Sequence, residues 1–165
     1  MNSKELFIKD TTVIKKSDNL FTAEVSENWS IGNTANGGYS MTLAAKAMSE
    51  FLDHKDPLSI SAHYLDRVDF GATELHITFL SSSKSLSTAR VEMIQNKKIK
   101  IIFIGTFTNF AFKNDLNIYD REIPDFPDYD SCEVIPYKEG FNPKLDKNIE
   151  KAYTKDSLWW KKDKD

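Results

Sequence analysis

The sequence predicts an α+β fold in which an antiparallel sheet of about six strands wraps around one central helix, with a Pro-rich, charged C-terminal extension. Three observations predict it. Two strand-like runs open the chain, a single stretch of helical period follows, and four more strand-like runs come next with no second helix between them. The composition then changes near residue 113: upstream segments are periodic and apolar, whereas downstream ones are crowded with charges and hold four of the five prolines, Pro124, Pro127, Pro136 and Pro143. Residues 1–112 are therefore read as one domain and 113–165 as a linker or extension.

Leu6 to Ile14 and Leu20 to Ser26 read as two short strands around the Lys15-Lys16-Ser17-Asp18-Asn19 turn, an opening hairpin. From Gly38 to Leu52 the period becomes helical, with Met41, Ala44, Ala45, Met48, Phe51 and Leu52 recurring at three- and four-residue spacing until His54-Lys55-Asp56-Pro57 stops it. Ala44, Ala45 and Ala47 predict close approach by a surface that wraps the helix. Leu58 to Leu65 begins the strands. In Thr73 to Leu80, Leu75, Ile77 and Phe79 alternate with Glu74, His76 and Thr78, the period of a half-buried strand. Leu86 to Gln95 sets Ala89, Val91 and Met93 against Arg90 and Glu92, and the Asn96-Lys97-Lys98 turn leads into Ile99 to Phe110. That last run is apolar on both faces, Ile99, Ile101 and Phe103 against Ile102 and Ile104, so both sides are expected to be covered. The four later strands are expected to pair as a consecutive antiparallel meander. A helix embraced by such a sheet is the hotdog arrangement; the alternative is a helix lying flat on an open sheet.

At 165 residues the chain holds one ordinary domain with a real core. A net charge of -3 gives no reason to expect nucleic acid. No apolar leader and no run of some eighteen apolar residues is present, so a cytoplasmic, non-membrane protein is expected. Cys132 is the sole cysteine, which excludes an internal disulfide and a cysteine-built metal site. No spacing of His with Asp or Glu suggests a metal, and no Ser, His and acid set forms a nucleophile motif.

The stretch Trp29 to Tyr39, just before the helix, carries the most chemistry. Asn36 suits an N-cap. Gly37 and Gly38 have no Cβ to obstruct a ligand, so the N–H groups there, Gly38 above all, are candidates to meet a carbonyl or phosphate oxygen at the positive end of the helix dipole. The same two glycines would also serve a plain tight turn. Trp29, Ile31, Tyr39, His63 and Tyr64 are the candidate ligand-lining residues; for Trp29 and Ile31 plugging the sheet edge is the alternative, and for His63 a hydrogen-bonded core or interface position. Ser40 and Thr42 could hold a water or help cap the helix. Asp66 is the only acid near the His63-Tyr64 strand.

Trp29-Ser30-Ile31-Gly32, Asn36-Gly37-Gly38-Tyr39, Leu58-Ser59-Ile60-Ser61-Ala62-His63-Tyr64-Leu65 and Gly71, in this order, resemble the thioesterase-like superfamily, in particular the acyl-CoA thioesterase II type built as a double hotdog. The resemblance spans roughly residues 5–112. It implies a thioester-binding tunnel for an acyl-CoA, a glycine-rich helix start beside the thioester carbonyl, and hydrolysis by an activated water with no cofactor or metal. Two features depart from that pattern. The family's water-activating Asp, Ser or Thr, and Gln belong to the second hotdog, of which only Asn142 to Asp165 could be the start, and Asp66-Arg67-Val68 stands where the family often has arginine then proline. The expected function is an acyl-CoA thioesterase domain completed by a second hotdog, either another copy in a homodimer or a separate half. A catalytically inert acyl-CoA-binding or structural hotdog is the alternative, and a hotdog dehydratase or isomerase would want a His and Asp pair that is absent near the helix start. Trp159 and Trp160, in a lysine-rich tail, read as an unfinished contact.

Overall fold

A computed structural model describes residues 2–112, 122 and 125–158. In chain order its elements are α1 (Ser3–Asp10), β1 (Val13–Lys15), β2 (Leu20–Val25), β3 (Ser30–Ile31), β4 (Thr34–Ala35), α2 (Gly37–Phe51), β5 (Asp56–Tyr64), β6 (Gly71–Ser82), β7 (Ser87–Gln95) and β8 (Lys98–Thr108). β9 (Glu133–Val134) and β10 (Ala152–Tyr153) pair as a separate ladder in the extension.

The main sheet has six antiparallel strands in the order β1-β2-β6-β7-β8-β5 and wraps α2, the hotdog arrangement. The expected four-strand meander is only three strands long. β6, β7 and β8 pair in succession, but β5 crosses over to the outer side of β8, leaving β2 to pair with β6. Loop length does not force β5 beside β6, because the residues between them, 65–70, are instead tied to the start of β8. The β7–β8 turn is tight: Gln95 pairs with Lys98, and Asn96 and Lys97 both take left-handed φ values of 51° and 62°, the geometry whose twist suits a two-residue hairpin.

The first predicted strand is a correction. Residues 3–10 form α1, because Asn2 and Glu5 close a capping box: Glu5 N–H donates to Asn2 Oδ1 at 2.9 Å and Asn2 N–H to Glu5 Oε2 at 3.0 Å. Two orphan donors are satisfied at once, which outweighs the weak alternation read from Leu6 to Ile14. The opening hairpin survives as β1 and β2, with Val13 opposite Ala23.

On α2 the fully buried face is Tyr39, Ser40, Leu43, Ala44, Ala47 and Met48, one step round from the stripe the spacing suggested; Met41, Ala45 and Phe51 are only partly covered. These residues meet Leu75, Ile77, Ala89, Val91, Met93, Ile101, Phe103 and Phe107 from the sheet in one core. The approach is close enough to need a glycine on the sheet side. A Cβ at Gly105 would lie 2.5 Å from Met48 Sδ and 3.0 Å from the Phe107 ring. The outer face of β8 is less covered than expected, with Ile104 39% exposed.

The extension folds back on the strand-to-helix connection. Lys144 pairs with Glu27, Asn148 Nδ2 donates to Asn28 O at 2.9 Å, and Leu158 is buried. Trp159 and Trp160 lie outside the described residues. Among the described residues no helix is long and apolar enough to cross a membrane, and no group of three metal-ligating side chains occurs.

Gly105→Ala is expected to destabilise the domain by about 1–3 kcal/mol, because both neighbours of the new methyl are fully buried. A fall in the urea midpoint with an unchanged slope checks it; an unchanged midpoint would show that Met48 relocates at no cost.

Candidate active site

The strand-to-helix turn is built around Asn36, whose φ of −60° and ψ of 139° are those of an extended N-cap residue. Its N–H donates to Trp29 O at 2.9 Å, and its Oδ1 accepts from Gly38 N–H at 2.9 Å and Tyr39 N–H at 3.2 Å. Gly38 therefore spends its N–H on the cap. The expected donor to a ligand oxygen shifts one residue upstream, since Gly37 N–H has no partner among the described residues and stands at the positive end of α2.

Each glycine has its own steric reason. A Cβ at Gly38 would come 3.1 Å from Asn36 Oδ1, crowding the cap. One at Gly37 would meet Tyr64 Oη at 2.8 Å and two of its ring carbons at 3.0 Å. Tyr64, at the end of β5, pairs with the inward-facing Ile101 and lays its half-exposed ring on the turn.

A cavity of about 350 Å³ opens here. Gly37, Ser40, Thr34 and Ala35 line one side; Tyr64, Ile101 and the loop residues Leu65, Asp66, Arg67 and Val68 line the other. The loop is pinned from beneath. Leu65 and Asp66 N–H both donate to Lys100 O, at 2.9 and 3.0 Å, while Lys100 Nζ reaches Asp66 Oδ2 at 3.1 Å and Asp69 Oδ2 at 3.3 Å. Gln95 clamps Asp69 twice, accepting its N–H at 3.0 Å and donating to its carbonyl at 2.8 Å. Thr34 Oγ1 and Ala35 N–H both donate to Val68 O, closing the loop onto β4.

Lys98 and Lys100 hold the Asp66 carboxyl well below the usual carboxylate range, and Asp66 in turn raises Lys100. That carboxylate, the one acid of the cavity lining, is thus occupied by two ion pairs. Ser40 is buried and gives its hydroxyl to Asn36 O at 3.2 Å; Thr42 Oγ1 likewise donates to Gly38 O at 3.0 Å.

Of the residues singled out in sequence, the structure brings together Asn36, Gly37, Gly38, Ser40, Tyr64 and Asp66. Trp29 and Tyr39 do not line the cavity. They stack at 6.1 Å behind the turn, where Trp29 Nε1 donates to Asp10 Oδ2 at 3.1 Å, and Tyr39 Oη donates to Asp10 O at 2.7 Å while accepting Ser26 N–H at 3.1 Å. Burial raises the Tyr39 phenol above its ordinary value, so it stays neutral. These two side chains tie α1 and the end of β2 to the helix. Ile31 is 47% exposed on β3 and lies outside the cavity lining. His63 pairs with Ile102 on the sheet face turned away from α2, as strand alternation after Tyr64 requires. Asp66, weighed in the sequence as the one acid near this strand, lines the cavity, whereas Leu65, Arg67, Val68 and Lys100 were not read as site residues; the signal was a second ammonium, Lys100, among the isoleucines at the start of β8.

Tyr39→Phe is expected to cost about 1–2 kcal/mol, because it leaves Ser26 N–H and Asp10 O without their shared hydroxyl. A fall in the denaturant midpoint checks it; an unchanged midpoint would show that the two groups find other partners at no cost.

Comparison with known proteins agrees with this architecture. A candidate thioesterase II of Thermobifida fusca superposes with a TM-score of 0.83 at 19% identity, covering 95% of this chain and 58% of its own. A hot dog fold protein of unknown function from Alicyclobacillus acidocaldarius gives 0.74 at 12%, over 86% of this chain and 52% of its own. The acyl-CoA thioesterase II of Mycobacterium marinum gives 0.64 at 15%, over 79% and 52%. The chain thus spans little more than half the length of these three proteins. No curated protein matches it. The sequence model of the acyl-CoA thioesterase N-terminal domain matches residues 25–110, from the end of β2 through β8, and the chain belongs to that family.

Proposed function

We propose that this domain binds an acyl-CoA thioester with its carbonyl oxygen at Gly37 N–H, and that it takes part in hydrolysis once a second hotdog supplies the group that activates water. The observation that carries the reading is the unspent Gly37 N–H at the head of α2, opening into a cavity of about 350 Å³. Family membership supports the thioester as the ligand class.

The chemistry asks for little beyond this geometry. As water attacks the thioester carbon, negative charge gathers on the carbonyl oxygen, and a fixed N–H at a helix N-terminus stabilises that charge more than it stabilises the ground-state carbonyl. The proton taken from the water needs a base. Asp66 is committed to two ammonium groups and Ser40 to the helix, so that base is assigned to the second hotdog. The reading of β5 as the pairing edge is supported by its sequence. After Asp56 and Pro57 at its start, the run Leu58 to Leu65 has no Lys, Arg, Asp, Glu or Pro to protect an edge, and Leu58, Tyr64 and Leu65 are more than half exposed. A second copy of this chain or a separately supplied half would meet that edge; the single cysteine suits a reducing, cytoplasmic setting.

Purified protein given acyl-CoA esters of several chain lengths, with trapping of free CoA thiol, tests the reading. Turnover above background is expected for the paired form, and Gly37→Ala, which drives a methyl into Tyr64, should lower it by about a hundredfold through displacement of the turn. Folded, paired protein without CoA release would refute hydrolysis. Thermal stabilisation by a non-hydrolysable acyl-CoA analogue without turnover would favour the inert binding domain. Light scattering is expected to show a dimer, and a stable monomer at high concentration would refute self-pairing through β5.

A further inference from the structure

We infer that the mouth of this cavity holds an anion-recognition site built on Arg67, which takes a carboxylate or phosphate group carried by the ligand; the placement of that group on a thioester rests on the function proposed above. Arg67 lines the same cavity as Gly37, and its side chain is 64% exposed. Only its Nε has a protein partner, Asp69 Oδ1 at 3.5 Å, so the two terminal amino groups of the fork are uncommitted among the described residues.

The neighbouring acids do not cancel it. Asp66 is shared by Lys98 at 3.0 Å and Lys100 at 3.1 Å, and Asp69 is also held by Lys100 at 3.3 Å. Three cations, Arg67, Lys98 and Lys100, face two carboxylates, which leaves one positive charge at the cavity mouth. Lys100 is the informative member. Its side chain is 8% exposed, and burying an ammonium is costly unless it is fully partnered. Here its partners are the two acids that flank Arg67. Their neutralisation removes the repulsion that would keep an anionic group away, and the Lys100 and Gln95 contacts hold the loop so that the guanidinium leaves the backbone at a fixed point. A planar fork with both terminal amino groups free is the geometry that a carboxylate or phosphate accepts in two parallel bonds.

Calorimetric titration of the full chain tests this with CoA, with neutral pantetheine, and with a non-hydrolysable glutaryl thioether of pantetheine. Arg67→Gln is expected to weaken at least one anionic probe by about tenfold and to leave pantetheine unchanged, with Arg67→Lys between them because it restores charge without the fork. Loss confined to CoA identifies the phosphates, and loss confined to the glutaryl compound identifies an acyl carboxylate. Both anionic probes binding Arg67→Gln within about twofold of the parent would overturn the inference. Free glutarate and pyrophosphate, followed through the Arg67 side-chain NMR signal, separate the two readings. Arg67-dependent anion binding with no affinity for pantetheine compounds would refute the thioester reading and keep this site, whereas no binding of any anion would refute the site.

Discussion

The close seating of α2 in the concave sheet is the constraint on which the rest of this domain depends. Ala44 and Ala47 on the helix and Gly105 on β8 remove the side-chain bulk that would otherwise hold the layers apart, and Met48 fills the space left at Gly105. With the helix axis so fixed, its N-terminus has a defined height above the sheet. The open end of the core then lies between that N-terminus and the ends of β5 and β8, where the cavity forms.

The same seating divides the labour of the strand-to-helix turn. Asn36 satisfies the Gly38 and Tyr39 donors, Tyr39 and Trp29 anchor the rear of the turn to α1, and Gly37, which lines the cavity, has no partner for its N–H among the described residues. For the proposed hydrolysis, a cap with one unpartnered donor among the described residues would suit charge that appears only during reaction, since little reorganisation is needed at that moment. The opposite wall is made rigid by different means. It is a loop, and its order comes from Lys100 and Gln95 reaching up from the sheet, so charge pairing does there what backbone geometry does at the helix.

Behind the strand-to-helix connection, α1 brings Phe7 edge-on to Trp29 at 4.9 Å, and the extension adds Asn148 against Asn28. Among the described residues no strand pairs with the outer side of β5, which carries a charge only at Asp56, and the cavity lies beside its end at Tyr64. A partner at this edge would stand next to the Tyr64 ring and the loop that carries Arg67, which joins the question of pairing to that of catalysis.

Local periodicity made much of this fold legible. The alternation of Leu75 and Ile77, the helical spacing before Leu52, the Asn36 cap and the tight turn at Asn96 depend on neighbours in sequence, and the resemblance carried by the Asn36-Gly37-Gly38-Tyr39 stretch pointed to the family. Other features depend on partners far along the chain. Alternation says that His63 and Tyr64 face opposite ways, but only the pairing of β5 with β8 decides that Tyr64 is the one that meets the helix. Spacing put a free N–H in the glycine turn, but the reach of the Asn36 side chain decided that it belongs to Gly37. Nothing local to Lys100 says that it pairs with Asp66 and Asp69; that comes from tertiary contact. Sequence alone determined where α2 and the strands β2 and β5 to β8 fall and where the polar turn lies, because those preferences are local, although the first segment folds as α1 and not as the expected strand; the tertiary structure alone decided strand order, the inward face and the partners of each charge, because these arise from contacts between residues distant in the chain.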